Sequence, residues 1–156
     1  MVTEDYVSFE TAKLLKEKGF SENTICKYAD VGGVTEKWYD EYRERVVRFD
    51  WQEGYLIKPP SEPLDQYEII GGTISAPTLQ RAMKWLRKEH NKIIIPSIRV
   101  TDPITGIIDC YCVGIYYIPK NNGGALCFTS PTPGNGYSTY EEACEAGIKY
   151  CLENLI

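Results

Sequence analysis

Apolar positions recur with a period near 3.6 residues in three stretches of the chain, and in several others they take on strand character. Phe9, Ala12, Leu14 and Leu15 predict a helix over residues 9–18, with Ser8 as N-cap and Gly19 as the stop. Leu79, Ala82, Met83 and Leu86 predict a second over 75–91. Pro77 falls in its first turn, where a missing N–H removes no intrahelical bond. Tyr140, Ala143, Cys144, Ile148, Cys151, Leu152 and Leu155 form the stripe of a third, over 138–156. That helix opens Ser138-Thr139-Tyr140-Glu141, read as a capping box in which hydroxyl and carboxylate satisfy each other's orphan backbone donors. Gly147 interrupts the stripe at a cost of about 1 kcal/mol relative to alanine, so another element is expected to approach closely there.

Strand signals fill the remainder. Short strands are predicted at 24–29, ending in the turn 30–33, and at 69–74, leading into the central helix. Residues 35–51 carry both periods and are read as helix or turn to Glu44, then strand, and 58–63 is a proline-rich connector. Between the central and last helices, strands over 92–100, 107–118 and 125–129 form an antiparallel meander. Pro96 marks its strand as an edge or a bulge, because it has no N–H for a ladder. On the middle strand Tyr111, Val113, Ile115 and Tyr117 share one face and Cys110, Cys112, Gly114 and Tyr116 the other. Both faces are apolar, so both call for cover by helices, a second subunit or a ligand. The expected fold class is α+β: a sheet packed by the central and C-terminal helices, with an N-terminal helix, in a single domain over 1–156 that carries a subdomain or insertion at 31–63.

Composition narrows the function classes. A hydrophobic fraction of 43% is that of a globular chain. No run approaches the roughly 20 apolar residues of a membrane span. The opening Met1-Val2-Thr3-Glu4-Asp5 has no signal-peptide character, so a cytoplasmic protein without membrane contact is expected. A net charge of −5 disfavours general nucleic-acid binding. The six cysteines lie in predicted strands and helices among apolar neighbours, which points to reduced, buried thiols.

No catalytic constellation assembles. Cys110-x-Cys112 lacks the spacing of a zinc knuckle, and no metal or cofactor is expected. A cysteine or serine nucleophile would have to use His90, the chain's single histidine, as its base. Asp40 with Glu44, and the group Glu141, Glu142 and Glu145, read as a solvated helix face and as acids at a helix start. Gly71-Gly72 before the central helix suggests an anion site near 75–78, but no phosphate-loop motif is present. What stands out is aromatic and cationic residues side by side. Trp38, Tyr42, Arg45, Arg48 and Trp51, joined by Arg99 and Tyr111 on the meander, are the candidate ligand-binding set, since aromatic planes with arginines suit a small anionic, nucleotide-like molecule. An aromatic core with arginines reaching out to water is the competing explanation.

Three blocks resemble a family of small uncharacterised proteins encoded by phages and prophages of gut bacteria: residues 4–20, 75–90, and 137–143 with 150–156. The resemblance covers about a third of the chain, in the family's order. It implies a phage or mobile-element origin and an intracellular life, and no reaction. The expectation is a non-catalytic accessory protein that acts by binding inside the host cell, sequestering a nucleotide-like defence signal. The alternative is a protein-interaction module, as a homodimer or an inhibitor of a host protein. An enzyme would need a cleft on which His90 or a carboxylate pair converges.

Overall fold

The structure is a computed structural model and describes residues 5–22, 24, 26–31, 55–57, 69–121 and 123–156. The doubly periodic stretch 35–51, the connector 58–63, and with them Trp38, Tyr42, Arg45, Arg48 and Trp51, lie outside the described residues. The chain is α+β, with helices packed on antiparallel sheets. It divides into two compact units, Tyr6–Pro77 and Thr78–Ile156, the latter together with the first few residues.

In the first unit, helix α1 (Phe9–Glu17) starts where Ser8 predicts, its hydroxyl accepting from the Thr11 N–H at 3.2 Å. Gly19 ends it at φ 94°, a left-handed conformation that glycine adopts without a Cβ penalty. The sheet has the order β2-β1-β3, from β1 (Lys27–Val31), β2 (Tyr55–Ile57) and β3 (Ile69–Ser75), all antiparallel. β1 lies about three residues further along than the predicted 24–29. Phe9, Ala12 and Leu15 of α1 form the core with Val7, Phe20, Cys26, Tyr28 and Ile74. Phe9 meets Tyr28 edge-on at 5.4 Å, and the Tyr28 hydroxyl donates to the Val7 carbonyl at 2.7 Å, which leaves this buried phenol satisfied.

The second unit holds helices α2 (Leu79–His90) and α3 (Tyr140–Asn154) and the meander β4 (Lys92–Asp102), β5 (Ile107–Tyr117) and β6 (Cys127–Thr129), in the order β4-β5-β6. Two helix starts differ from the sequence reading. α2 begins at Leu79, not Ser75: Ser75 closes β3, Pro77 precedes the helix, and Thr78 is the cap, accepting from the Arg81 N–H at 3.2 Å. The capping box of α3 is shifted by one residue. Thr139 accepts from the Glu142 N–H at 3.1 Å, while the Glu142 carboxylate accepts from the Ser138 N–H at 3.0 Å. Ser138 and Glu141 are not the pair.

β4 is an edge strand and carries Pro96, which resolves that expectation as an edge. The β4–β5 turn is closed by Asp102, whose carboxylate accepts from the Ile104 N–H at 2.9 Å and the Thr105 hydroxyl at 3.0 Å. These bonds hold its carboxyl below the usual range. β6 stops after three residues because Pro131 and Pro133 follow. Beyond it, hydroxyls continue the contact with β5: Thr132 accepts from the Val113 N–H at 2.9 Å and Ser130 donates to the Val113 carbonyl at 2.6 Å.

Candidate functional site

Partners in an antiparallel ladder lie on the same side of the sheet. The register pairs Ile94 with Ile115 and Pro96 with Val113, and these belong to the helix-covered face. α3 sits on it: a Cβ at Gly147 would lie 2.8 Å from Val113 Cγ2 and 2.9 Å from Ile94 Cγ2. The close approach expected at Gly147 is therefore real. Ala143, Cys144, Ile148, Cys151 and Leu152 are buried with it, whereas Tyr140, assigned to the stripe from sequence, is exposed.

Among the described residues no helix packs on the other face, where large apolar side chains stand exposed. Ile93 pairs with Tyr116, Ile95 with Gly114, and Tyr116 also with Phe128. Ile95 is 47% exposed and Phe128 59%, and they are flanked by exposed Ile118 and Leu126. Phe128 is held in place: its Cε2 would stand 2.6 Å from a Cβ at residue 114, so only glycine lets the ring lie across the strand. The ring packs on Tyr116 at 4.9 Å. The sequence signalled two apolar faces; which would be left open it did not signal.

Of the ligand set proposed from sequence, Arg99 and Tyr111 are described. Arg99 pairs with Cys110 and Ile98 with Tyr111, so Arg99 and Tyr111 lie on opposite faces and do not converge. Arg99 is exposed and donates to the Gly134 carbonyl at 3.1 Å and to Cys112 Sγ at 3.8 Å. Tyr111 is half-buried, edge-on to Tyr140 at 6.5 Å.

Sequence reading missed a cleft of about 290 Å3 beside α2, lined by Gln80, Met83, Lys84, Arg87, Ile93 and Ile94. Lys84 and Arg87 are exposed, and neither forms an ion pair among the described residues. The signal was present in α2 itself, a helix with no acid in its first turn and bases through the rest, inside a chain of net charge −5.

All six cysteines are free thiols, and Cys26, Cys110, Cys144 and Cys151 are buried. Burial pushes the Cys110 thiol up, and the hydrogen bond with Cys112 adds to the rise against the opposing pull of Arg99. Burial raises Cys151 further, to about 12, opposed by Lys92. Such thiols are poor nucleophiles. His90 ends α2 with its ring 4.6 Å from that of Trp85. Among the described residues no group of three metal-ligating side chains converges. At the start of α2, the Leu79 N–H is taken by the Asp5 carbonyl and the Arg81 N–H by Thr78, two of the donors an anion there would use. No described helix is long and apolar enough to cross a membrane. Comparison with known proteins returns no match, whether to a family model, a curated protein or a solved structure.

Proposed function

We propose that this chain is a non-catalytic binding protein that works through the open face of the β4-β5-β6 sheet. One observation carries the reading: the apolar row Ile93, Ile95, Tyr116 and Phe128 stands at the surface of a sheet whose other face is packed by helices. Exposed contiguous apolar surface in a water-soluble domain marks a contact site. A preset aromatic such as Phe128 supplies the anchor that dominates interface energies. The resemblance to phage-encoded proteins points to the inside of a bacterial host as the place of action, in an accessory or anti-defence role.

The cleft beside α2 supports a second reading, capture of a small anionic, nucleotide-like molecule. Lys84 and Arg87 would pair with its charge, and Met83, Ile93 and Ile94 would take its apolar part.

Replacing Ile95 by the photo-crosslinker p-benzoylphenylalanine in bacterial cells tests the first reading, with the same probe at Lys88, on exposed α2, as control. Protein adducts are expected from position 95 and none from position 88. Absent or equal labelling would remove the face as the binding surface. Native mass spectrometry of the protein purified from the same cells addresses the cleft. A small adduct lost in the Lys84→Glu/Arg87→Glu double variant supports the anion, and an adduct that survives the double variant excludes this cleft as its site.

A further inference from the structure

We infer that the open sheet face is occupied by the same face of a second copy of this chain, a conclusion that rests on reading the face as a binding surface. Three observations select a copy over a different partner.

The first is charge. From Ile93 to Ser97 on β4, Gly114 to Tyr116 on β5, and at Phe128 on β6, no residue is charged, and Arg99 on the same face lies toward the hairpin, against Cys112 and the Gly134 carbonyl. Each copy carries −5, so most surfaces of two copies repel, whereas the uncharged centre of this face meets its twin without a like-charge penalty when a two-fold axis across the strands keeps the two Arg99 side chains apart. The ends of the face complement each other too. Asp102 and Asp109 sit at the hairpin end, and Lys120 lies beyond the opposite end of β5. A two-fold axis across the strands brings the acidic end of one copy to the basic end of the other, as an isologous interface requires.

The second is area. Ile93, Ile95, Tyr116, Ile118, Leu126 and Phe128 leave on the order of 500 Å2 of apolar surface open, taking about 150–250 Å2 for a large side chain fully buried. Two such faces together would bury about 1,000 Å2, the lower bound for a specific interface.

The third is that strand-to-strand association is blocked at the edges. β4 carries Pro96 on its outer edge, and β6 offers only three residues before Pro131 and Pro133. Stacking face to face is the contact that remains. Two such sheets would interdigitate as in a β-sandwich, about 10 Å apart, with α2 and α3 outermost.

Sedimentation velocity of the purified full-length chain, under reducing conditions and from low to high micromolar concentration, tests this. The expected species has twice the 17.8 kDa of the chain. Ile95→Glu and Phe128→Glu are each expected to weaken association about 30-fold or more, as loss of a central anchor does. The milder Ile95→Thr is expected to weaken it less, and circular-dichroism melts confirm that each variant is folded. A monomer at every concentration overturns the inference, as does a dimer untouched by both glutamates. The mass of the adducts crosslinked from position 95 separates the two levels of the reading. Adducts to other proteins, with a monomeric purified chain, sink the second copy and leave the face as a binding surface. No protein adduct from position 95 sinks both.

Discussion

Gly147 shows how much one missing methyl group can decide. In the middle of α3 it forfeits about 1 kcal/mol of helix propensity. In return the helix backbone comes down onto Val113 and Ile94, whose methyl carbons would stand 2.8 and 2.9 Å from an added Cβ. Val113 is buried and both neighbours are β-branched, so neither can swing aside cheaply. Gly147→Ala therefore sets about 1 kcal/mol of propensity gain against about 1–3 kcal/mol of overpacking. The expected outcome is a net loss of about 1 kcal/mol, read as a lower thermal midpoint. A rise in the midpoint would show that α3 stands further from the sheet. Gly114 plays the matching role on the opposite face, where its bare Cα lets Phe128 lie flat.

Helix ends are decided at the scale of the element, by which residue turns out of helical geometry. At the start of α3 four polar residues compete: Ser138, Thr139, Glu141 and Glu142. A serine or threonine followed three places later by a glutamate occurs twice, as Ser138 with Glu141 and as Thr139 with Glu142. Sequence spacing alone cannot choose between them. The bridge between Tyr111 and Tyr137 does, because it holds the incoming chain on β5 and so sets where the first turn begins. Thr139→Ala is expected to cost about 1 kcal/mol and Ser138→Ala a few tenths, since Ser138 contributes its main-chain N–H and not its hydroxyl. Urea unfolding of the two variants checks this, and the reverse order would restore the other box. The start of α2 follows the same logic. Pro77 suits a first turn, but β3 runs on through Ser75 and leaves the helix to begin after Thr78.

At the scale of the whole molecule, thiols and phenols that desolvation holds protonated tie stability to alkaline pH. Burial raises Cys110, Cys144, Cys151, Tyr137 and Tyr140, with Cys151 going from an ordinary 9.0 to about 12. A group whose proton is held more tightly in the folded state gives stability that is fully present below its unfolded value and is lost as pH rises toward its folded value. Below pH 9 these groups leave stability flat. Between about pH 9 and 12 stability should fall, Cys151 alone accounting for on the order of 4 kcal/mol at about 1.4 kcal/mol per unit. Chemical denaturation across that range, under reducing conditions, should show a slope that is shallower in Cys151→Ala after allowance for the lost side chain. An equal slope in the variant would place the loss elsewhere.

Much of the second unit was legible in the amino-acid order. Its two helices, the meander, the edge position of β4 and the close contact at Gly147 follow from period, turn residues and the lack of an N–H at proline, all of which act over a few neighbouring residues. Both apolar faces of β5 were legible for the same reason, since alternation along a strand is local. Which face the helices cover is a different kind of fact. It depends on α3 returning over Val113 and Ile94, contacts between residues more than thirty positions apart that no local pattern encodes. The tertiary structure likewise separated Arg99 from Tyr111, because adjacent ladder pairs point to opposite sides of the sheet, and placed Lys84 and Arg87 beside the start of β4. Sequence alone determined that this sheet has a second apolar face; only the fold decided that Ile93, Ile95, Tyr116 and Phe128 are the residues left at the surface, since α3 packs on the opposite side, over Val113 and Ile94.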